Sequence, residues 1–258
     1  MLQISPTIPI ALLFAGVVLA GAPDVHAQEG GTEAGERGQP FPSKHYAPSE
    51  YGARPQNWAV TQDNRGVTYV ANNDGVLQYD GERWRLIPTA TGTFVRSLAA
   101  DSVVFVGAKG DFGYLRPDSA GLLRYQSLHK RADGPNHSFN DVWNTHVTSE
   151  GTYFQTQDWL FRWDGEQIDA WKSADRFHTS FVVEDRLYVR ASGRGLLWMK
   201  GDSLTITPGG EAFARTPIYM MAPHPSGGIL VATQNKGLQV YENGTLRSFA
   251  PALTSYLN

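Results

Sequence analysis

The stretch Val67-Thr68-Tyr69-Val70-Ala71-Asn72-Asn73-Asp74-Gly75-Val76-Leu77-Gln78-Tyr79-Asp80-Gly81 decides the fold. Apolar and polar residues alternate with period two on either side of Asn73-Asp74-Gly75, the pattern of two half-buried strands joined by a tight turn. Glycine suits such a turn because it accepts positive φ without a Cβ clash. The pattern recurs at 103–115 (VVFVGAKGDFGYL), 152–165 (TYFQTQDWLFRWDG), 187–201 (LYVRASGRGLLWMKG) and 229–244 (ILVATQNKGLQVYENG). Taking Gly75, Gly113, Trp159, Gly195 and Gly237 as equivalent turn positions, the separations are 38, 46, 36 and 42 residues. A period near 40 with four strand signals per unit is that of a β-propeller. The expectation is an all-β chain of four-stranded blades, about five of them, over units near 55–90, 94–130, 140–173, 177–212 and 217–250.

Neighbouring features agree. Asp80-Gly81, Asp164-Gly165 and Asn243-Gly244 are tight-turn pairs. Trp84, Trp171 and Phe249 begin or end a fourth strand in their units. No stretch after the N-terminal segment carries a long 3.6-residue apolar period, so almost no helix is expected. Trp159 in a glycine slot predicts a different turn in the third unit. The chain has 258 residues, 41% of them hydrophobic, enough for a sizeable core.

Residues 8–22 (IPIALLFAGVVLAGA) form an apolar run too short for a membrane span, and Val25-His26-Ala27 places small residues at a cleavage position. Residues 1–27 are read as a signal peptide, although no Lys or Arg precedes the run. Residues 28–50 are read as a flexible linker, being Gly- and Glu-rich at their start. Export to the periplasm follows, with no lipid anchor, because Ala22 stands where a lipid-bearing Cys would be, and no later membrane span.

Composition excludes several chemistries. Lys and Arg total 22 against 25 Asp and Glu, a net charge of −3, which argues against binding nucleic acid through a basic face. Cys is absent, which removes disulfides, thiol catalysis and Cys-ligated metals. The seven His form no H-x-H or H-E-x-x-H pair, so no metal site is expected. No G-x-S-x-G elbow and no P-loop occurs. Gly209-Gly210-Glu211-Ala212-Phe213 resembles the signature of diguanylate cyclases, but Ala212 lacks the second acid and the segment reads as an inter-blade loop. Asp63, Asp101, Glu150 and Glu184 recur after the first strand of successive units. Repetition assigns them to turn capping in preference to paired-carboxylate catalysis. No catalytic residue and no cofactor is expected.

Residues 55–67 (PQNWAVTQDNRGV), 75–87 (GVLQYDGERWRLI) and 110–115 (GDFGYL) resemble the two-component regulator propeller family. These are the extracytoplasmic sensor regions of hybrid histidine kinases and related receptors. The likeness runs from about Tyr51 to Phe249. It implies two seven-bladed propellers, a small β-sandwich, a membrane span and a cytoplasmic output domain in the parent. This chain is therefore expected to be an incomplete seven-bladed ring without output domain, a closed five-bladed ring being the alternative. A homodimer through the C-terminal part it lacks is a further implication.

Mid-strand aromatics (Tyr69, Phe105, Tyr153, Tyr188, Tyr241) are expected in the core. The entries to the inner strands are different: Asn57-Trp58, Arg96, Trp143-Asn144, His178 and Tyr219. Aromatic and hydrogen-bonding side chains recurring around a channel mouth suit a polar small molecule, and the family resemblance implies an oligosaccharide. A sensor region is thus the leading reading. A protein-interaction scaffold and a carbohydrate-active propeller enzyme are the alternatives.

Overall fold

The computed structural model describes residues 43–90, 92–131 and 137–249. The signal segment and most of the linker lie outside them. The described chain forms five antiparallel four-stranded sheets, each a meander of consecutive strands. The first comprises β1 (Asn57–Gln62), β2 (Thr68–Asn72), β3 (Gly75–Tyr79) and β4 (Trp84–Ile87). The second comprises β5 (Val95–Ala100), β6 (Val104–Ala108), β7 (Asp111–Pro117) and β8 (Leu123–Ser127). The third has β9 (Asn144–Thr148), β10 (Gly151–Gln155), β11 (Trp159–Trp163) and β12 (Ile168–Lys172). The fourth has β13 (Phe177–Val183), β14 (Arg186–Ala191), β15 (Gly195–Lys200) and β16 (Ser203–Ile206). The fifth has β17 (Ile218–Pro223), β18 (Ile229–Thr233), β19 (Gly237–Glu242) and β20 (Thr245–Ser248).

Alternation places one face of each sheet against its neighbour, and four hydrophobic cores fill the four gaps between blades. Tyr69, Val76, Val106 and Leu115 join the first two blades. Phe105, Phe112, Phe154 and Phe161 join the second and third, with Phe112 stacked on Phe154 at 4.6 Å. Tyr153, Leu160, Val189 and Leu197 join the third and fourth. Tyr188, Leu196, Ile218 and Val231 join the last two. All five mid-strand aromatics are buried, as expected. Each such side chain contributes about 2 kcal/mol by leaving water, so the blades hold together through these faces.

The innermost strands pack in sequence: β1 on β5, β5 on β9, β9 on β13, β13 on β17. No comparable contact joins β17 to β1 among the described residues, so the five blades form an open arc.

Two turns depart from the glycine pattern, the first against the sequence reading and the second as Trp159 predicts. Gly113 is not the turn residue of the second blade. It lies inside β7 opposite Val106, and a Cβ there would overlap the Gln126 carbonyl oxygen. The turn is made by Lys109 and Gly110, the latter at φ 70°, and Asp111 occupies the position of Gly75. In the third blade Thr156 replaces a glycine turn: its Oγ1 accepts the backbone N–H groups of Asp158 (3.2 Å) and Trp159 (2.8 Å). The end of the expected linker is ordered as well. Pro48–Tyr51 form a short helix, α1, and Tyr46 packs edge-on against Trp84 at 5.2 Å.

Candidate functional site

At the entry to the inner strand, four blades carry the same irregularity. The register of β1 with β2 shifts between Asn57 and Ala59, and that of β5 with β6 between Val95 and Ser97. β13 shifts between Phe177 and Thr179, and β17 between Ile218 and Met220. The extra residue is Trp58, Arg96, His178 or Tyr219. A bulge removes one residue from the ladder and re-aims its side chain. The buried residue before three of them (Val95, Phe177, Ile218) anchors the strand in the inter-blade core. In the third blade Asn144 pairs with Gln155, and the Trp143 N–H donates to the Gln155 carbonyl at 2.9 Å.

These residues meet across blade boundaries. The Arg96 guanidinium lies 3.9 Å from the Trp58 ring centre, 5.2 Å from Phe94 and 5.5 Å from Trp143. Its Nε donates to Asp141 Oδ1 at 2.7 Å, while its Nη1 is buried without a hydrogen-bond partner. Trp58 and Trp143 stand edge to face at 6.3 Å, each 43% exposed. The Trp58 indole N–H donates to Asn73 Oδ1 at 2.8 Å. Both rings are therefore fixed in orientation yet reachable from solvent.

Asn144 links this group to the next blade. Its Nδ2 donates to Gln155 Oε1 at 2.7 Å and to Thr179 Oγ1 at 3.4 Å. Beside Thr179, His178 meets Tyr219 edge-on at 6.1 Å, and Tyr219 is 61% exposed. Partial burial and the positive charge of Arg190 hold the His178 imidazole below its usual pKa. Arg190, opposite Thr179 in β14, is buried. It donates to the Phe213 carbonyl (3.2 Å), Ser192 Oγ (3.0 Å) and the Ala214 carbonyl (2.8 Å). No carboxylate is among these partners.

Of the seven sequence-derived site residues, Trp58, Arg96 and Trp143 meet in one cluster and His178 and Tyr219 in another, while Asn144 bonds to Gln155 and to Thr179 between them. Asn57 does not join them. Its Oδ1 accepts from Asn72 Nδ2 at 2.7 Å, which ties β1 to the first turn. Sequence reading missed Asp141, Phe94 and Arg190. Asp141 lies 45 positions from Arg96 in a long connector, and Phe94 and Arg190 precede or sit within strands that look like core.

The other candidate chemistries are structural. Gly210–Phe213 form a 3-10 turn in the connector before β17, with Phe213 buried. Asp63, Asp101, Glu150 and Glu184 lie in successive hairpins at the rim opposite this site. Asp63 accepts the N–H groups of Arg65 and Val67, both at 3.0 Å. Burial pushes its carboxyl up, and Arg65 with these N–H groups outweighs that and leaves it below its ordinary pKa. No group of three or more His, Asp or Glu able to hold a metal occurs among the described residues. No helix among them is long and apolar enough to cross a membrane.

No family model matches the chain, and no curated protein matches it. Solved structures do match. The extracellular domain of a hybrid two-component system from B. thetaiotaomicron is 16% identical, with a TM-score of 0.51 over 79% of this chain. This chain spans 31% of that one. A catalytically inactive virginiamycin B lyase from Staphylococcus aureus, with quinupristin, is 12% identical, with a TM-score of 0.51 over 75% of this chain and 69% of its own. The computationally designed Ika8 protein is 12% identical, with a TM-score of 0.55 over 74% of this chain and 60% of its own. The chain has the β-propeller fold that its sequence implies, and the extracellular domain of a hybrid two-component system is among the solved structures that share it.

Proposed function

We propose that this chain is the exported, ligand-sensing propeller region of a two-component-type receptor, and that a polar ligand sits at the mouth where the inner strands begin. The observation that carries the reading is the recurrent bulge. Four blades each spend a ladder position to aim Trp58, Arg96, His178 or Tyr219 out of the sheet, and Trp143 and Asn144 complete the row. The sequence resemblance to sensor regions and the shared fold of a two-component extracellular domain support the same reading. Signalling through such a module requires that the ligand bind one receptor state more tightly than the other, which belongs to the parent protein.

The test is thermal unfolding of the full chain against a panel of polar metabolites and oligosaccharides. A ligand at about 100 times its Kd adds about 2.7 kcal/mol of stability. At least one compound is expected to stabilise the wild type and to lose most of that effect with Trp143→Ala. Compounds that stabilise both proteins equally would place the ligand elsewhere and defeat the proposal.

A further inference from the structure

We infer that the cleft between the first two blades, at the rim away from the mouth, docks a partner protein. The partner enters with an acidic side chain that is flanked by apolar ones and set in a basic surface. This is a separate surface and does not depend on the mouth ligand. Two adjoining cavities of about 230 and 420 Å³ open there and share Arg65, Pro117 and Leu123. In the outer, larger one, Arg65, Arg83 and Arg85 of the first blade face Pro117, Leu122 and Leu123 of the second. Leu122 is 46% exposed. Other blade boundaries are bridged at the rim. Trp163 stacks on Tyr114 at 5.3 Å between the second and third blades. Between the third and fourth, the Trp171 indole N–H donates to the Asp202 carbonyl at 2.8 Å, and Arg162 pairs with the Asp202 carboxylate. Between the fourth and fifth, a smaller space of about 250 Å³ holds Arg186 over the Trp198 ring at 4.6 Å. At the first boundary Arg85 Nη2 reaches the Leu123 carbonyl at 3.3 Å, and the cavities stay open beside it.

Charge identifies the partner. In each blade the turns joining first to second and third to fourth strands lie at the rim. These ten hairpins carry eleven Asp or Glu against two Arg. The two are Arg65 and Arg83, and both line this cleft. Arg65 is paired with Asp63 at 2.7 Å. Among the described residues Arg83 and Arg85 form no ion pair. Arg85 Nε donates to Gln78 Oε1 at 3.1 Å. The carboxylate lining the outer cavity is Asp80, whose Oδ1 accepts the N–H groups of Glu82 and Arg83 at 2.9 and 2.8 Å. Asp63 and Asp101 line the inner cavity. The outer cavity is therefore a cationic notch in an acidic face. The surrounding face repels a free anion and attracts a basic surface. An acid within such a surface meets Arg83 and Arg85, and its apolar neighbours cover Leu122 and Leu123.

The experiment is calorimetric titration of the full chain with two acetylated and amidated peptides, KKLELKK and KKLQLKK. The second is the more basic, so attraction to the acidic rim alone favours it. The notch favours the first, which is expected to bind about tenfold tighter. Arg83→Gln combined with Arg85→Gln should abolish or reverse that preference. Leu122→Ser, at an exposed position that leaves the fold intact, should weaken both peptides. Equal or tighter binding of KKLQLKK would reduce the interaction to rim attraction and overturn the inference, as would no binding of either peptide. A preference for KKLELKK that survives the double arginine variant would place the contact elsewhere, and unchanged affinity in Leu122→Ser would remove the apolar wall from it.

Discussion

The guanidinium of Arg96 lies 3.9 Å from the centre of the Trp58 ring, although the two residues belong to different blades. Each is the extra residue of a bulge, so both side chains leave their sheets at the same level. Arg96 is pinned from the other side by Asp141, next to the start of the third blade. One cation therefore ties three blades at the inner edge of the arc, where no covalent crosslink is available.

This clamp should be measurable as stability. Arg96→Ala strands the partly buried Asp141 and removes the stacking on Trp58, and is expected to cost about 2–4 kcal/mol. Arg96→Lys keeps the charge but not the planar stacked geometry, and should recover less than half of that. Urea unfolding midpoints check both. Equal stability of Arg96→Ala and wild type would show that the clamp does not hold the blades.

Glycine substitutions should separate turn strain from close packing. Gly75 has φ 143°, and a Cβ there would overlap the Ile87 carbonyl oxygen. Gly165 has φ 112° with open space around it. Gly75→Ala is expected to cost about 3 kcal/mol or more, and Gly165→Ala about 1 kcal/mol. The same unfolding measurement ranks them.

The fold should weaken in mild acid through His146. Burial holds its imidazole at a pKa of about 4 against the ordinary 6.5, despite hydrogen bonding of Nε2 to the Ser180 carbonyl at 3.1 Å. The charged form is disfavoured in the folded state, so the unfolded chain binds more protons between these values. Stability is present above pH 6.5 and is lost as pH falls toward 4, by on the order of 2 kcal/mol. His146→Gln should flatten that slope in melting temperatures taken across the window.

A second inter-blade contact serves as a contrast. Arg162 reaches Asp169 at 2.6 Å and Asp202 at 2.7 Å, the latter in the next blade and highly exposed. Solvent screens that pair, so Asp202→Asn should cost less than about 1 kcal/mol. A loss as large as that of Arg96→Ala would mean that charge, not stacking and burial, governs blade cohesion.

Much of the fold was legible because repetition multiplies a weak strand signal. Five copies of the same alternation fix the blades even where one turn is misaligned, as at Gly113. That error arose because Asp111 stands where other units have glycine, and the nearest downstream glycine looks equivalent. Trp58, Arg96, His178 and Tyr219 stand out for the same reason: they occupy one position in four of the five units. Their bulges were not legible, because a register shift belongs to a pair of strands and leaves no mark on either alone. Asp141 and Arg190 were missed on similar grounds. Their partners lie 45 positions away for Asp141, and in the connector carrying Phe213 and Ala214 for Arg190.

The central claim is that the mouth binds a ligand, and the seven tryptophans offer a direct reading of it. Each gives one indole N–H signal in a nitrogen–proton correlation spectrum of the full chain. Titration with the polar metabolites and oligosaccharides of the unfolding panel should, for at least one compound, move the signals of Trp58 and Trp143 in a saturable way. Those of Trp84, Trp163, Trp171 and Trp198, in the third or fourth strands of their blades, should stay in place. Saturable shifts confined to these outer tryptophans, or no shift at all with any probe, would contradict the account.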